Sequence, residues 1–242
     1  MTYCVAALVD EGITFCSDSR TSAGADQINV YTKMFRFGTE GERQFVILSA
    51  GNLATTQAVI DRLSKDIANS AEVNLNTVAD IHEAADYIGE LSVEQQTKMG
   101  GTPTFESSFI VGGQVLGSSP QLSLVYPQGN HISASKLTPF LQIGESKYGK
   151  PILDRIVEST TPLNTVALCS LVSMDSTMRS NLTVGPPIDV QVYRANTLMP
   201  GDYYHFEADS EYLKSVTQVW CAKMGESFSA LPPLDSSLAM KS

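Results

Sequence analysis

The sequence is short of positive charge. Its 242 residues include 16 lysines and arginines against 26 aspartates and glutamates, a net charge of −10 at pH 7. Nucleic acids and anionic membranes attract basic surfaces, so this balance argues against both as partners. The chain also lacks an apolar run of the ~18 residues that a membrane span needs. Its first residues lack the basic start and apolar stretch of a signal peptide, so we expect a cytoplasmic protein.

The sequence also lacks the residue clusters that bind metal ions. None of its cysteines forms a closely spaced pair, and its histidines are dispersed without ligand spacing. The cysteines stand in apolar strand or helix patterns, which predicts buried small hydrophobic residues. We therefore expect no metal site. The residues concerned are Cys4, Cys16, Cys169 and Cys221, and His82, His131 and His205.

Hydrophobic periodicity predicts four strands, two helices, further strands, two helices, a strand and a final helix. The first four strands form two hairpins, and the polar segment 21–29 between them is a loop. Asn52, Thr77 and Asn164 are the predicted caps of three helices. The predicted strands cover 2–9, 13–17, 34–38, 44–50, 105–115, 122–126, 131–135, the stretch ending at 144, and 188–192. The predicted helices cover 53–68, 78 to the Gly/Pro-rich break at 99–104, 148–158, the segment after Asn164, and 209–224.

This order predicts an α+β fold with two antiparallel sheets packed face to face and a helix pair on each outer side, a four-layer αββα sandwich. The length fits one domain, and no linker or internal repeat interrupts it. We assign residues 1–225 to this domain. Residues 226–242 are rich in Ser, Pro and Leu and form an extension. It is either a mobile terminus or an arm that packs on a neighbouring subunit.

The N-terminus carries the most informative residues. If Met1 is removed, Thr2 has a free α-amine and a hydroxyl on one residue. Such an amine titrates at about 7.7–8.0, close to the optimum for a general base, and a threonine hydroxyl needs such a base. A neighbouring Lys33 would favour the neutral amine, and Asp18 would hold Lys33 by a charge-assisted hydrogen bond. Together these residues predict an N-terminal nucleophile, exposed by loss of one methionine without an autolytic step.

Each of these residues also has a simpler interpretation. Met-Thr opens many proteins that use neither residue, Asp18 alone is a strand-end or turn carboxylate, and Lys33 alone is a solvated charge. Their joint spacing favours catalysis, as does Gly51, which stands where a strand leads into a helix. Its N–H would be a donor for an oxyanion near the helix N-terminus. The alternative is a glycine needed only for the turn. By position, the pocket beside the nucleophile includes Thr21, Tyr31 and Ser49.

The N-terminal segments resemble the proteasome β-subunits and their bacterial HslV relative. The resemblance is carried by residues 2–9, the run Ser-Asp-Ser-Arg at 17–20, Lys33, and the run Ile-Leu-Ser-Ala-Gly at 47–51. The start Met-Thr-Tyr-Cys-Val, with Ser-Asp-Ser-Arg-Thr at 17–21, is most similar to Anbu, the bacterial proteasome-like family. The resemblance implies the N-terminal-nucleophile hydrolase fold and the oxyanion role of Gly51. Arg20 matches the family pattern as an orienting or packing residue.

The resemblance implies two further site residues later in the chain. Proteasome β-subunits carry Gly-Ser-Gly, whose serine contacts the N-terminal amine. The corresponding Gly-Glu-Ser at 144–146 makes Ser146 the candidate, with Glu145 as the alternative occupant. The later aspartate of the family corresponds to Asp175, and Met178 stands at the place of its companion serine. The residues that could substitute for that serine are Ser176 and Ser180.

We therefore expect a threonine hydrolase that cleaves peptide or amide bonds through an acyl-enzyme, without metal, nucleotide or organic cofactor. The resemblance implies peptide or protein substrates and self-association into rings or open helical stacks. Two alternatives remain: an amidase for small substrates, and a self-assembling scaffold with little or no turnover. No docking motif for an ATP-driven unfoldase is identifiable in the sequence.

Overall fold

The structure is a computed structural model that describes residues 1–22 and 28–233. Blocks of antiparallel strands alternate with helices, which makes the fold α+β. The strands are β1 (Tyr3–Val9), β2 (Gly12–Asp18), β3 (Arg20–Ser22), β4 (Ile28–Val30), β5 (Met34–Thr39), β6 (Arg43–Gly51), β7 (Ser107–Val115), β8 (Gln121–Val125), β9 (His131–Ser133), β10 (Phe140–Gly144), β11 (Ile188–Arg194) and β12 (Asp202–Phe206). The helices are α1 (Leu53–Ala68), α2 (Ile81–Lys98), α3 (Ser146–Ile156), α4 (Leu163–Ser180) and α5 (Glu211–Ser229).

Ten of the strands form two five-stranded sheets. The strand order is β10-β1-β2-β11-β12 in one and β5-β6-β7-β8-β9 in the other, and β3 and β4 pair separately. The register of the first sheet sets Tyr3 opposite Gly144 and Asp18 opposite Ile188. Segments far apart in the sequence therefore meet at one end of this sheet, beside the N-terminus.

Apolar side chains form two buried clusters. One joins the second sheet to α1 and α2 and contains Phe45, Leu63 and Ile88. The other contains side chains from both sheets, among them Phe15 and Leu48. Helix α4 packs on β1, β2 and β11, and α3 packs on α4 and β10. All seven residues of β2 are buried, as expected for a strand that is covered on both faces.

The chain divides into two compact units, Met1–Ala208 and a second that begins at Asp209. Helix α5 belongs to the second unit and extends past its predicted end at residue 224 into the segment predicted as an extension. The last part of that extension, 234–242, lies outside the described residues, and the single domain 1–225 stays a prediction. Among the described residues, no helix is both long and apolar enough to cross a membrane.

Two predicted helix caps are wrong. Helix α2 begins after Asp80, whose Oδ1 accepts hydrogen bonds from the N–H groups of His82 and Glu83 at 2.8 and 2.9 Å. Thr77, the predicted cap, instead bonds within the preceding turn, where its hydroxyl accepts from the N–H of Asn74. The predicted cap Asn164 lies inside α4, which begins after Pro162. The first N–H of α4, that of Leu163, donates to the Glu11 carboxylate at 2.8 Å, a partner that no local pattern reveals.

Other differences concern short or polar elements. Helix α3 begins at Ser146 rather than at residue 148. The predicted loop 21–29 contains the last residues of β3 and the first residues of β4. Residues 23–27 of that loop lie outside the described residues. Strand β12 was not predicted because most of its side chains are exposed, and an exposed edge strand needs no apolar alternation.

The close approach of α2 to the turn after β8 yields a stability prediction. At Gly89 a Cβ would lie 2.0 Å from the carbonyl oxygen of Gly129. Because the backbone must shift to admit a side chain, Gly89→Ala should lower the free energy of unfolding by about 1–3 kcal/mol in urea denaturation. Its exposed neighbour on the same helix provides the control, since Glu90→Ala should change that energy by less than ~0.5 kcal/mol. Equal effects of the two changes would contradict the packing argument.

Candidate active site

Thr2 is held at the end of β1 by backbone contacts on both sides. Its carbonyl oxygen accepts a hydrogen bond from the N–H of Glu145 at 2.8 Å, and the N–H of Tyr3 donates to Asp18 Oδ1 at 3.0 Å. Gly144 stands beside this contact with φ +80°, and a Cβ there would lie 1.9 Å from the Thr2 carbonyl oxygen. Only glycine combines that backbone conformation with such a close approach.

The predicted pairing of Asp18 with Lys33 is present in the structure. Lys33 Nζ lies 2.7 Å from Asp18 Oδ1 and also donates to the carbonyl oxygen of Arg20 at 2.6 Å. Asp18 Oδ2 accepts from the N–H of Gly185 at 3.2 Å. The Asp18 side chain is fully buried and that of Lys33 is 7% exposed. A buried charge is costly unless it has a partner of opposite charge. The ion pair therefore satisfies both the Asp18 carboxylate and the Lys33 ammonium.

The site changes the acidity of its titratable groups. Burial raises the pKa of the Asp18 carboxyl, while Lys33 and the amides of Tyr3 and Gly185 act in the opposite direction. The pKa of the Met1 amine is lowered from its ordinary value, first by burial and then by the charge of Lys33. The carboxylates of Asp18 and Glu145 oppose that shift. A terminal amine here is therefore more readily neutral, which a proton acceptor must be.

A cavity of about 470 Å³ opens beside Thr2. Gly51 lies on its wall at the end of β6, immediately before α1 and its cap Asn52. Gly51 has φ +113°, and a Cβ there would lie 2.4 Å from the carbonyl oxygen of Glu106. The turn thus requires a glycine, and the same turn places it at the positive end of a helix dipole. The remaining lining residues are Met1, Thr21, Thr32, Lys33, Ser49, Ala50, Leu53, Thr56 and Gly144, without Tyr31.

Two predicted site residues do not line the cavity beside Thr2. Ser146 lines a separate cavity together with Gln142 and Lys150, and it does not line the cavity beside Thr2. Asp175 is buried on α4, where its carboxylate accepts from Arg179 Nε at 3.1 Å. Neither Asp175 nor the alternatives Ser176 and Ser180 line the Thr2 cavity. The structure therefore brings together Thr2, Asp18, Lys33 and Gly51.

Glu145, the alternative to Ser146, contacts Thr2 through its backbone N–H, beside Gly144. Arg20 has the packing role expected of it: its Nη1 donates to the carbonyl oxygen of Leu182 at 2.8 Å, and its guanidinium lies against Gly185. Sequence reasoning missed Gly185 and the partners of the Tyr3 side chain because each of these hydrogen bonds joins residues more than a hundred positions apart.

Within the described part of the chain, no cluster of three or more His, Cys, Asp or Glu side chains could hold a metal ion.

Comparison with known proteins identifies the family. No protein-family model and no curated protein matches the chain. Among solved structures, Anbu (ancestral beta-subunit) from Yersinia bercovieri is 42% identical with a TM-score of 0.93, over 97% of this chain and 99% of that one. The helical assembly of the Anbu complex from Pseudomonas aeruginosa is 43% identical with a TM-score of 0.93, over 98% of this chain and 100% of that one. This chain belongs to the Anbu family. Anbu from Hyphomicrobium sp. strain MC1 is 41% identical with a TM-score of 0.90, over 97% and 100% of the two chains.

The buried ion pair of this Anbu chain yields a second stability prediction. Lys33→Met leaves the Asp18 carboxylate buried without its cation, so the free energy of unfolding should fall by about 3–5 kcal/mol. Lys150→Met is the matched control, because it breaks an exposed lysine–aspartate pair within α3 that is worth ~0.5 kcal/mol or less. Urea denaturation measures both. A Lys33→Met chain as stable as the control would show that the buried pair is not a structural requirement.

Proposed function

We propose that this protein is a threonine N-terminal-nucleophile hydrolase that cleaves peptide or amide bonds through an acyl-enzyme after removal of Met1. The observation that carries the proposal is the buried ion pair of Lys33 and Asp18 directly beside the Thr2 backbone. A lysine held in this way supplies a fixed positive charge next to the position that the amine would occupy. A purely structural ion pair would not need to adjoin the first strand, the cavity and the chain terminus at once.

Each proposed step uses a group of this chain. The Thr2 amine accepts the hydroxyl proton as Oγ attacks the carbonyl carbon, and the N–H of Gly51 donates to the resulting oxyanion. The protonated amine then gives its proton to the leaving nitrogen as the C–N bond breaks, which leaves an ester on Thr2. Water attacks this ester, the amine accepts a proton from the water, and Oγ regains a proton as the acid product leaves. Lys33 keeps the amine neutral between steps, and Asp18 holds Lys33.

We also propose the four-layer αββα arrangement, with α1 and α2 outside one sheet and α3 and α4 outside the other. The apolar clusters between the sheets and beneath α1 and α2 support it. Self-association into a ring or helical stack is proposed from the relative described as a helical assembly. Peptide or protein substrates and a cytoplasmic location remain part of the proposal.

The main alternative is a self-assembling scaffold with little or no turnover. The placement of Ser146 in a separate cavity favours it, because the serine expected to contact the amine does not line the cleft. Roles for Ser146 and Asp175 in catalysis stay predictions. An amidase for small substrates would use the same four residues and would differ in acting on small amides and not on unfolded proteins.

The proposal is tested by the mass of the intact protein before and after incubation with a β-lactone that acylates N-terminal threonines. We expect loss of Met1 and a single adduct, because the freed amine activates the Thr2 hydroxyl. The control Thr2→Ala keeps the site but has no hydroxyl and should take up none. Processed protein without an adduct would refute the acyl-enzyme and favour the scaffold.

The lowered pKa of the terminal amine yields a prediction for pH dependence. The amine must be neutral to act, so the acylation rate should rise with pH as the amine deprotonates. In the unprocessed chain, burial and Lys33 lower the pKa of the Met1 amine. We infer the same direction for the Thr2 amine, because Thr2 and Lys33 line the same cavity, and we expect the midpoint below about 7.7–8.0, the ordinary range for an α-amine. Glu145→Gln removes a carboxylate that raises the pKa of the Met1 amine, and the same effect on the Thr2 amine should move the midpoint lower still. A wild-type midpoint above 8, or an upward shift in the variant, would contradict this account.

A further inference from the structure

The residue that follows the proposed nucleophile has an unusual environment. The Tyr3 side chain is fully buried, although it stands only two positions from the chain terminus. Its hydroxyl lies 2.6 Å from Ser173 Oγ on α4 and accepts from Gln142 Nε2 on β10 at 2.7 Å. Burial raises the pKa of the Tyr3 phenol, so it remains a neutral hydroxyl that both donates and accepts.

The Tyr3 hydroxyl has a donor and a possible acceptor in this network. A phenol has one proton to donate, so with Gln142 donating to it, its own proton can go to Ser173. The second hydrogen of Gln142 Nε2 goes to the carbonyl oxygen of Ser146 at 3.1 Å, at the start of α3. Gly149 makes room for the cluster, since a Cβ there would lie 2.1 Å from Ser173 Oγ and 2.7 Å from the Tyr3 hydroxyl. The Tyr3 hydroxyl thus links β1 to β10 and α4, and the Gln142 side chain extends the network to α3.

Tyr3 is held through its backbone as well. Its N–H donates to the same Asp18 oxygen that receives Lys33 Nζ. Once Met1 has left, Thr2 is the terminal residue, and it is joined to the rest of the chain through its peptide bond to Tyr3 and the hydrogen bond from the Glu145 N–H to its carbonyl oxygen. Terminal residues are poorly ordered unless they are tied down, and misplacement of a reacting group by about 1 Å can cost 10²-fold in rate. The position of Thr2 Oγ therefore depends on how firmly Tyr3 is fixed.

We propose that Tyr3 is the positioning residue of the nucleophile, and that its hydroxyl, bonded to Ser173 and Gln142, fixes the end of β1 so that Thr2 faces the cavity beside Lys33 and Gly51. The proposal rests on the proposed function. Tyr3 itself is fully buried and is not among the residues that line the cavity beside Thr2. Its loss should therefore change the rate of the chemical step and leave binding nearly unchanged.

The test is the kinetics of β-lactone acylation by processed protein, with loss of Met1 checked by intact mass for every variant. Tyr3→Phe keeps the ring and removes the hydroxyl. We expect the maximal acylation rate at saturating lactone to fall about tenfold or more, and the half-saturating concentration to change by less than about threefold. Ser173→Ala removes the partner instead, and the double variant should fall no further than Tyr3→Phe because both changes break the same hydrogen bond.

Tyr193→Phe controls for general destabilisation. Tyr193 is also buried, and its hydroxyl donates to Gln114 Oε1 at 2.7 Å and accepts from the N–H of Leu198, far from Thr2 in the fold. The Tyr193→Phe variant should lose stability as Tyr3→Phe does, yet it should be acylated at the wild-type rate. Equal acylation rates for Tyr3→Phe and wild type, or equal losses of acylation rate in the two tyrosine variants, would overturn this proposal without affecting the proposed function. A processed wild type that takes up no lactone would overturn the proposed function, and this proposal with it.

Discussion

The Asp18 carboxylate is the point on which the site depends. It accepts hydrogen bonds from the first residue of β1, from Lys33 before β5 and from Gly185 before β11, so one side chain joins three distant parts of the sequence. The low polarity of the interior strengthens each of these contacts and makes the loss of any one costly. The cation and the proposed nucleophile are therefore fixed relative to each other by the same atoms.

Glycines complete this arrangement where side chains would prevent it. Gly144 lets the end of β10 approach the Thr2 carbonyl, and Gly51 turns the chain from β6 into α1. Both glycines line the cavity beside Thr2, and because they have no side chains they contribute backbone to its wall. A wall of this kind offers N–H and C=O groups at fixed positions.

Local signals accounted for most of the fold. The leading hairpins and helix α1 with its cap Asn52 follow from alternation, turn residues and capping chemistry, all of which act between near neighbours. Thr2, Asp18 and Lys33 were identifiable because their chemistry is complementary. What was wrong or missed depends on contacts between distant segments: the α4 terminus is satisfied by Glu11, and the Tyr3 hydroxyl bonds to Ser173. The role of Ser146 stays a prediction. Ser146 was assigned by its place in a motif, and the start of α3 directs it to another cavity.

The location of β1 has a consequence for how the protein unfolds on heating. This strand is internal, with β10 on one side and β2 on the other, although it begins at the chain terminus. Local opening usually starts at termini because they have few interactions to lose, and it then precedes global unfolding. Here the terminal strand can leave only by breaking two ladders, so the N-terminus should exchange its amide hydrogens as slowly as the centre of the sheet. Loss of the arrangement around Thr2 on heating and melting of that sheet would then be one cooperative event.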